Sequence, residues 1–317
     1  SGGAGGALDI EFDGDTWRVA QRQGYPADME RLREYLLKLA EARLVEAKTA
    51  NPGNYPPLGV EDPSEEDAGG MLVTVRGTDS ASSLIVGRYN GQGSGTFVRY
   101  PDQAQSWLAN ADLTLDREPT RWLRRDIVDL PTSQVQTLVL VRADGDTIRA
   151  SKGDAADTTF KVADVPAGRE LTSEFAASGL AGFLASLRLD DVRPAAAVEV
   201  PEDALTLTYD TFDGRRYAMR IWDEDGRYLL SLGATLLEVA AIEPAQDATA
   251  QAAAEEGDEA GDVAEDAEAL AAQLRAHAGG EVEILNARAE GWVFQIPAFK
   301  WSAINKRMDD LLKPLDD

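Results

Sequence analysis

Asp13-Gly14-Asp15-Thr16-Trp17-Arg18 returns later in the chain as Asp144-Gly145-Asp146-Thr147-Ile148-Arg149, with five residues of six unchanged. An Asp-Gly pair between apolar runs signals a hairpin, because both central residues of the turn must tolerate positive φ. Each copy is followed by an extended segment, a Pro-Ala pair (Pro26-Ala27, Pro166-Ala167) and a run rich in leucine and alanine at helical spacing. A weaker third copy runs from Trp292-Val293-Phe294-Gln295-Ile296-Pro297-Ala298 into Lys306–Leu312. The pattern predicts an α+β fold of repeated hairpin-helix-meander modules with antiparallel sheets, two full copies plus a truncated third. The expected boundaries are a linker or cloning scar at 1–7, modules at 8–142 and 143–242, an acidic flexible linker at 243–268 and a partial repeat at 269–317.

Working outward, Leu8 to Arg22 reads as the first hairpin. From Ala27 to Lys48, Met29, Leu32, Leu36, Leu39, Ala40 and Leu44 recur at spacings of three and four, which predicts a helix. Met71–Arg76, Ser83–Tyr89 and Gly95–Tyr100 read as a small antiparallel meander, and Gln103–Asn110 as a short helical turn around Trp107. Gln134–Arg142 is a nearly continuous β run that feeds the second Asp-Gly turn; Phe160–Val162 is a further strand. Leu171–Leu189 predicts the second helix. Val198–Val200, Leu205–Tyr209, Arg216–Trp222 and Tyr228–Leu232 predict a second meander, turned at Asp213-Gly214 and Asp225-Gly226. Glu243–Glu268 carries ten acids and no base, too few apolar groups to offset the entropy of ordering, with helical character expected near Ala267–Ala276.

The 317 residues and 44% hydrophobic content suffice for two or three modules with cores of their own. A net charge of −25 argues against a nucleic-acid binder, since phosphate recognition needs clustered cations. It equally disfavours docking to anionic lipid headgroups. The chain contains no cysteine, which removes disulfides, thiolate metal sites and thiol nucleophiles together. No apolar run approaches the roughly 20 residues that cross a bilayer.

Candidate chemistry is sparse. Gly91-Gln92-Gly93-Ser94-Gly95 has the glycines of a phosphate loop but neither the Lys-Ser/Thr pair nor a following helix, so a hairpin tip is the better reading. Thr120–Pro131 gathers Arg121, Arg124 and Arg125 beside Trp122; in so acidic a chain, carboxylate partners are expected for them. Asp223-Glu224-Asp225-Gly226 opens like a calcium loop, yet Ala234 stands where the bidentate acid belongs. The single histidine, His277, sits beside an expected helix end, and one histidine cannot build an ordinary zinc site. Trp17 and Trp292 occupy matching places in the repeat, which suits core packing better than a carbohydrate platform. With 56 acidic residues, carboxylate pairs arise by chance and point to no hydrolase. No catalytic, cofactor-binding or metal-ligating residue is therefore assigned.

Longer stretches carry a family likeness. Trp122-Leu123 through Asp129-Leu130-Pro131, Val135, Asp144-Gly145, Phe160, Val165-Pro166 and Leu187–Ala195 resemble the bacterial family catalogued as domain of unknown function 4340. Trp17, Pro26-Ala27, Leu58-Gly59-Val60-Glu61-Asp62-Pro63 and the closing Gly291–Pro297 are similar to its outer parts. The resemblance implies an extracytoplasmic (periplasmic) domain held to the inner membrane by an N-terminal anchor absent from this sequence. It also implies partners, an ABC transporter permease and a gliding-motility-type auxiliary membrane protein, and a non-enzymatic accessory role with no cofactor. The alternatives are a module binding envelope glycan or another extracellular ligand, and a carboxylate-dependent glycan hydrolase.

Overall fold

The computed structural model describes residues 7–64, 68–77, 79–237 and 260–314, the side chains of 260–271 excepted. Ser1–Gly6, read as a linker, and residues 243–259 of the expected acidic linker lie outside the described residues. The architecture is mixed, with many antiparallel strands in several sheets and few helices. The chain divides into two compact units, Ser1–Arg124 and Arg125–Asp317.

In the first unit β1 (Ile10–Phe12) and β2 (Trp17–Val19) form the expected hairpin, joined antiparallel by β3 (Tyr25–Pro26). The Asp13 carboxylate makes the turn: its Oδ1 accepts the amides of Asp15 at 2.9 Å and Thr16 at 2.8 Å, while Gly14 takes φ 105°. Helix α1 (Met29–Glu41) starts where Asp28 caps the amides of Glu30 and Arg31. It stops seven residues short of the sequence expectation. Leu44, which continues the helical spacing, belongs instead to β4 (Leu44–Ala47), paired with Ala109.

Strands β5 (Met71–Arg76), β6 (Ala81–Asn90) and β7 (Gly95–Arg99) form the expected meander, and β8 (Ser106–Ala109) extends it. Residues 103–110 are thus not a helical turn: Phe97 faces Leu108 and Val98 faces Trp107, so cross-strand pairing overrides the short local signal. The sheet order is β4-β8-β7-β6-β5, antiparallel throughout. One face packs Val86, Val98, Ala109 and Leu113 against Leu39 of α1; the other packs Ile85 against Tyr55 and Val60. A 3-10 turn, Pro119–Trp122, closes the unit, with the Asp28 amide donating to Trp122 O (2.7 Å) and the Arg124 amide to Pro26 O (3.0 Å).

In the second unit β9 (Asp126–Val128) is followed by β10 (Val135–Val141), β11 (Thr147–Ser151) and β12 (Lys161–Val162), then α2 (Ser178–Ala181), β13 (Leu187–Arg188) and β14 (Asp191–Pro194). Next come β15 (Leu205–Thr211), β16 (Arg215–Glu224), β17 (Arg227–Leu236), α3 (Ala260–Ala289), β18 (Trp292–Ile296) and α4 (Ala298–Ile304). One sheet has the order β12-β11-β10-β15-β16-β17-β18-β14, and β9 pairs with β13. The division precedes the expected 142/143 boundary because β10 has both its neighbours, β11 and β15, downstream.

The second helix shrinks to four residues within the expected Leu171–Leu189. Side chains and backbone from elsewhere take the carbonyls that a helix would use itself: Leu180 O accepts from Tyr209 Oη, Leu184 O from the Leu130 amide, and Phe183 O and Ala185 O from Lys300 Nζ. Helix α3 runs twelve residues beyond His277, through Gly279-Gly280, so that histidine is exposed on the helix and not at its end. Asn286 of α3 pairs its amide with both N and O of Ala234, capping the β17 edge past the point where β18 stops. The C-terminal stretch expected as a partial third repeat supplies β18, the strand between β17 and β14.

Candidate interaction site

Helix α1 is shorter than the sheet it covers. Its apolar face meets the sheet through Leu36, Leu39 and Ala40, and the floor runs from buried Val98 through partly buried Val73 and Leu84 to Val75 and Tyr100, which open to solvent. The result is an apolar groove of about 330 Å³, walled on the far side by Ala42, Leu44 and Leu113. Exposure grows toward its mouth, to 41% at Val75 and 40% at Tyr100. Tyr35 pins the helix over the inner end by donating its hydroxyl to Leu113 O at 3.3 Å, and burial, aided by the Asp112 charge, pushes that phenol well above its ordinary range. The groove is bordered by β5, which among the described residues pairs with β6 alone. Its outer edge therefore offers unpaired backbone donors and acceptors.

The opposite face of the same sheet is sealed by the Tyr55–Pro63 loop. Arg99, only 6% exposed, donates Nε to Val60 O at 2.9 Å and Nη1 to Gln103 O at 3.1 Å, with its guanidinium 4.8 Å over the Tyr55 ring. Gly87 leaves room for the loop: a Cβ there would meet Leu58 O at 2.4 Å. The Leu58–Pro63 motif is thus a seat for the sheet. Glu61 at its centre is buried, and its Oε2 has no hydrogen-bond partner among the described residues.

A second concavity of about 610 Å³, in the second unit, is lined by Ser151, Lys152, Asp157, Phe160, Lys161 and Glu174. Two of its polar side chains, Lys152 and Asp157, are engaged in shaping a loop. Lys152 Nζ donates to Ala155 O and Asp157 O, and Asp157 accepts the amides of Gly153 and Asp154. Neither concavity is lined by three aromatic rings.

The segments singled out in the sequence fall as follows. Gly91–Gly95 is the β6–β7 hairpin tip, and Asp223–Gly226 the β16–β17 turn, with the Gly226 amide held by Asp223. Arg121 reaches Asp116 at 3.6 Å and Arg125 reaches Asp190 at 3.0 Å, while Trp122 is buried under Arg31. The second Asp-Gly turn is tied down by Arg307, whose Nη2 lies 2.6 Å from Asp144. Hydrogen bonds hold the carboxyls of Asp13, Glu34, Asp62, Asp144, Glu170 and Glu224 below the usual range, the opposite of what a general acid needs. Burial pushes Asp213 up, but bonds from Arg215 and Thr211 outweigh it. No cluster of three or more potential metal-ligating side chains occurs among the described residues, and no helix there is long and apolar enough to cross a membrane. Sequence reading missed the groove itself, whose only early trace is the apolar alternation of Val73 and Val75 beside a helix too short to cover them.

A family model described as "Domain of unknown function (DUF4340)" matches residues 17–206. The chain belongs to that family. No curated protein and no solved structure matches it. The DUF4340 match begins at β2 and ends inside β15, so it takes in the groove, the β5 edge and the Leu58–Pro63 seat, while the Gly291–Pro297 stretch lies beyond it.

Proposed function

We propose that this chain is a non-enzymatic accessory domain of an ABC transport system, which acts by holding a partner protein outside the cytoplasm. The observation that carries the binding role is the open apolar groove beside the edge of β5, which among the described residues pairs with β6 alone. Apolar concave surfaces of this size are where proteins take ligands and partner segments. The transporter context, the extracytoplasmic location and the membrane anchor rest on the resemblance to DUF4340 proteins. The test is purification of the full-length protein from its own membranes in mild detergent. Recovery with a permease and an auxiliary membrane subunit supports the role; recovery alone from the soluble fraction overturns it.

The same reading takes the chain as two copies of one module. In both units an antiparallel trio of strands and a helix precede a return strand and a four-stranded meander, and the orders β4-β8-β7-β6-β5 and β14-β18-β17-β16-β15 correspond. Closure also corresponds: isolated bridges join Ala27 to Leu123 and Leu171 to Leu312, each just after a 3-10 turn. The Thr172 amide donates to Leu311 O as Asp28 does to Trp122 O. In this arrangement β18 is the last strand of the second copy, separated from β17 by α3.

A further inference from the structure

We propose that the free edge of β5 accepts an extended segment of a partner protein as an antiparallel strand, with alternate apolar side chains entering the groove beside α1. The proposal rests on the reading that the first unit holds a partner, and it names that partner's chemistry.

The second unit holds a strand in the corresponding place. There β15 holds the place that β5 holds in the first, at the end of the meander, but its outer edge is occupied. Strand β10 lies antiparallel along it, with Leu138 opposite Tyr209 and Leu140 opposite Leu207, all four fully buried. The segment that completes the sheet reads Val135-Gln136-Thr137-Leu138-Val139-Leu140-Val141, an extended run rich in β-branched and aliphatic residues. Among the described residues of the first unit no strand does this for β5; the β1-β2-β3 trio is a separate sheet. Val73 and Val75, on the α1 face of β5, both line the groove; Val73 is partly buried against the Val86–Val98 core, while Val75 is left exposed. Strand addition would pair the open backbone edge and cover these valines at once, main-chain bonds supplying affinity and alternate side chains specificity. Arg117 marks where the open edge begins, since its Nη2 already takes Gly70 O at 3.0 Å. A second copy of the chain is disfavoured as the occupant, because each copy carries −25 charges.

The test uses the full chain and a fluorescent peptide with the sequence of Gln134–Arg142. Two control peptides carry N-methyl groups on alternate amides, one for each edge, so that one of them cannot pair with β5. Anisotropy is expected to show saturable binding, weakened at least about tenfold by one N-methyl pattern and much less by the other. Val75→Glu, a substitution at an exposed position, is expected to weaken binding at least about tenfold by placing a charge in the groove. Hydrogen exchange is expected to slow in Met71–Arg76. Equal binding of both N-methylated peptides, protection at Leu205–Thr211 instead, dimerisation through β5 in sedimentation, or no binding up to about 1 mM peptide would each overturn the proposal. Failure here with a permease still recovered from membranes would sink the strand and spare the accessory role; the converse pair of results would do the reverse.

Discussion

Arg99→Met tests whether the Leu58–Pro63 motif is a seat for the sheet. The substitution strips Val60 O and Gln103 O of charged donors at 2.9 and 3.1 Å and removes the cation from the Tyr55 ring. Charged hydrogen bonds are worth about 1.5–3 kcal/mol each, and a desolvated cation–π contact about 2 kcal/mol. Against this, methionine has no guanidinium to desolvate, which returns several kcal/mol in the opposite direction. The orphaned carbonyls decide the balance, because methionine fills the space but donates nothing, and the net cost comes to about 3 kcal/mol. With a urea dependence near 2 kcal/mol per molar, the midpoint falls by about 1.5 M.

The assay is urea unfolding followed by intrinsic fluorescence, with hydrogen exchange at the amides of Tyr55–Glu61 as the local readout. Exchange is expected to quicken there and to stay unchanged in β15–β17, which belong to the other unit. Arg99→Lys keeps the charge but has no planar fork to reach both carbonyls, so it should recover less than half of the loss. A midpoint shift below about 0.3 M for the methionine variant, with the loop amides unmoved, would refute the reasoning and release the motif for another role.

Three further outcomes follow from the geometry. Gly87→Ala should destabilise the first unit by about 1–3 kcal/mol, read as a thermal or urea midpoint, because its Cβ would strike Leu58 O at 2.4 Å and Gly59 O at 2.7 Å. Lys300→Met should cost about 2 kcal/mol in urea unfolding, since it strips Phe183 O and Ala185 O of their donor while sparing the burial that draws the lysine pKa down. Asp144→Asn should be less stable than the parent at neutral pH, and the gap should close in acid. The Arg307 hydrogen bond depresses the folded Asp144 pKa, so its contribution is present above the unfolded carboxylate value and disappears as pH falls through the folded one. A gap that persisted at low pH would remove the ion pair as its cause.

The parts of the fold legible in the sequence are those whose cause is local. An Asp-Gly pair between apolar runs makes the turn before β2 and again before β11, and the spacing of Met29, Leu32, Leu36, Leu39 and Ala40 makes α1. The failures share one cause, in that distant partners decide. Leu44 keeps helical step with Leu36 and Ala40 yet pairs with Ala109 in a sheet. Leu180, Phe183, Leu184 and Leu187 have helical spacing because all of them are buried, from several sides, in a segment whose carbonyls belong to Tyr209, Leu130 and Lys300. The groove was invisible for a related reason. It is made by what α1 fails to cover, and its lining comes from residues 36 to 113, none of which carries a chemical signature of its own.

The contrast between the two units bears on why one edge is open. In the second, the helix is reduced to Ser178–Ala181, and β10 enters the sheet with Leu138 and Leu140 fully buried, so trio and meander become one eight-stranded sheet. In the first, α1 keeps thirteen residues, the trio stays apart, and the meander ends in a bare strand beside an apolar trough. An exposed edge next to aliphatic side chains invites aggregation, and proteins usually blunt one with charge, proline or a bulge. From Met71 to Val75 the strand has none of these; its only charge is Arg76, at the last position. A partner strand that covers it in use removes that hazard, while a net charge of −25 opposes pairing of two copies through the same edge. Val75→Glu is therefore expected to weaken partner binding and to leave the sedimentation of the isolated chain unchanged, and a variant that was markedly less associated than the parent would show that the edge pairs with itself.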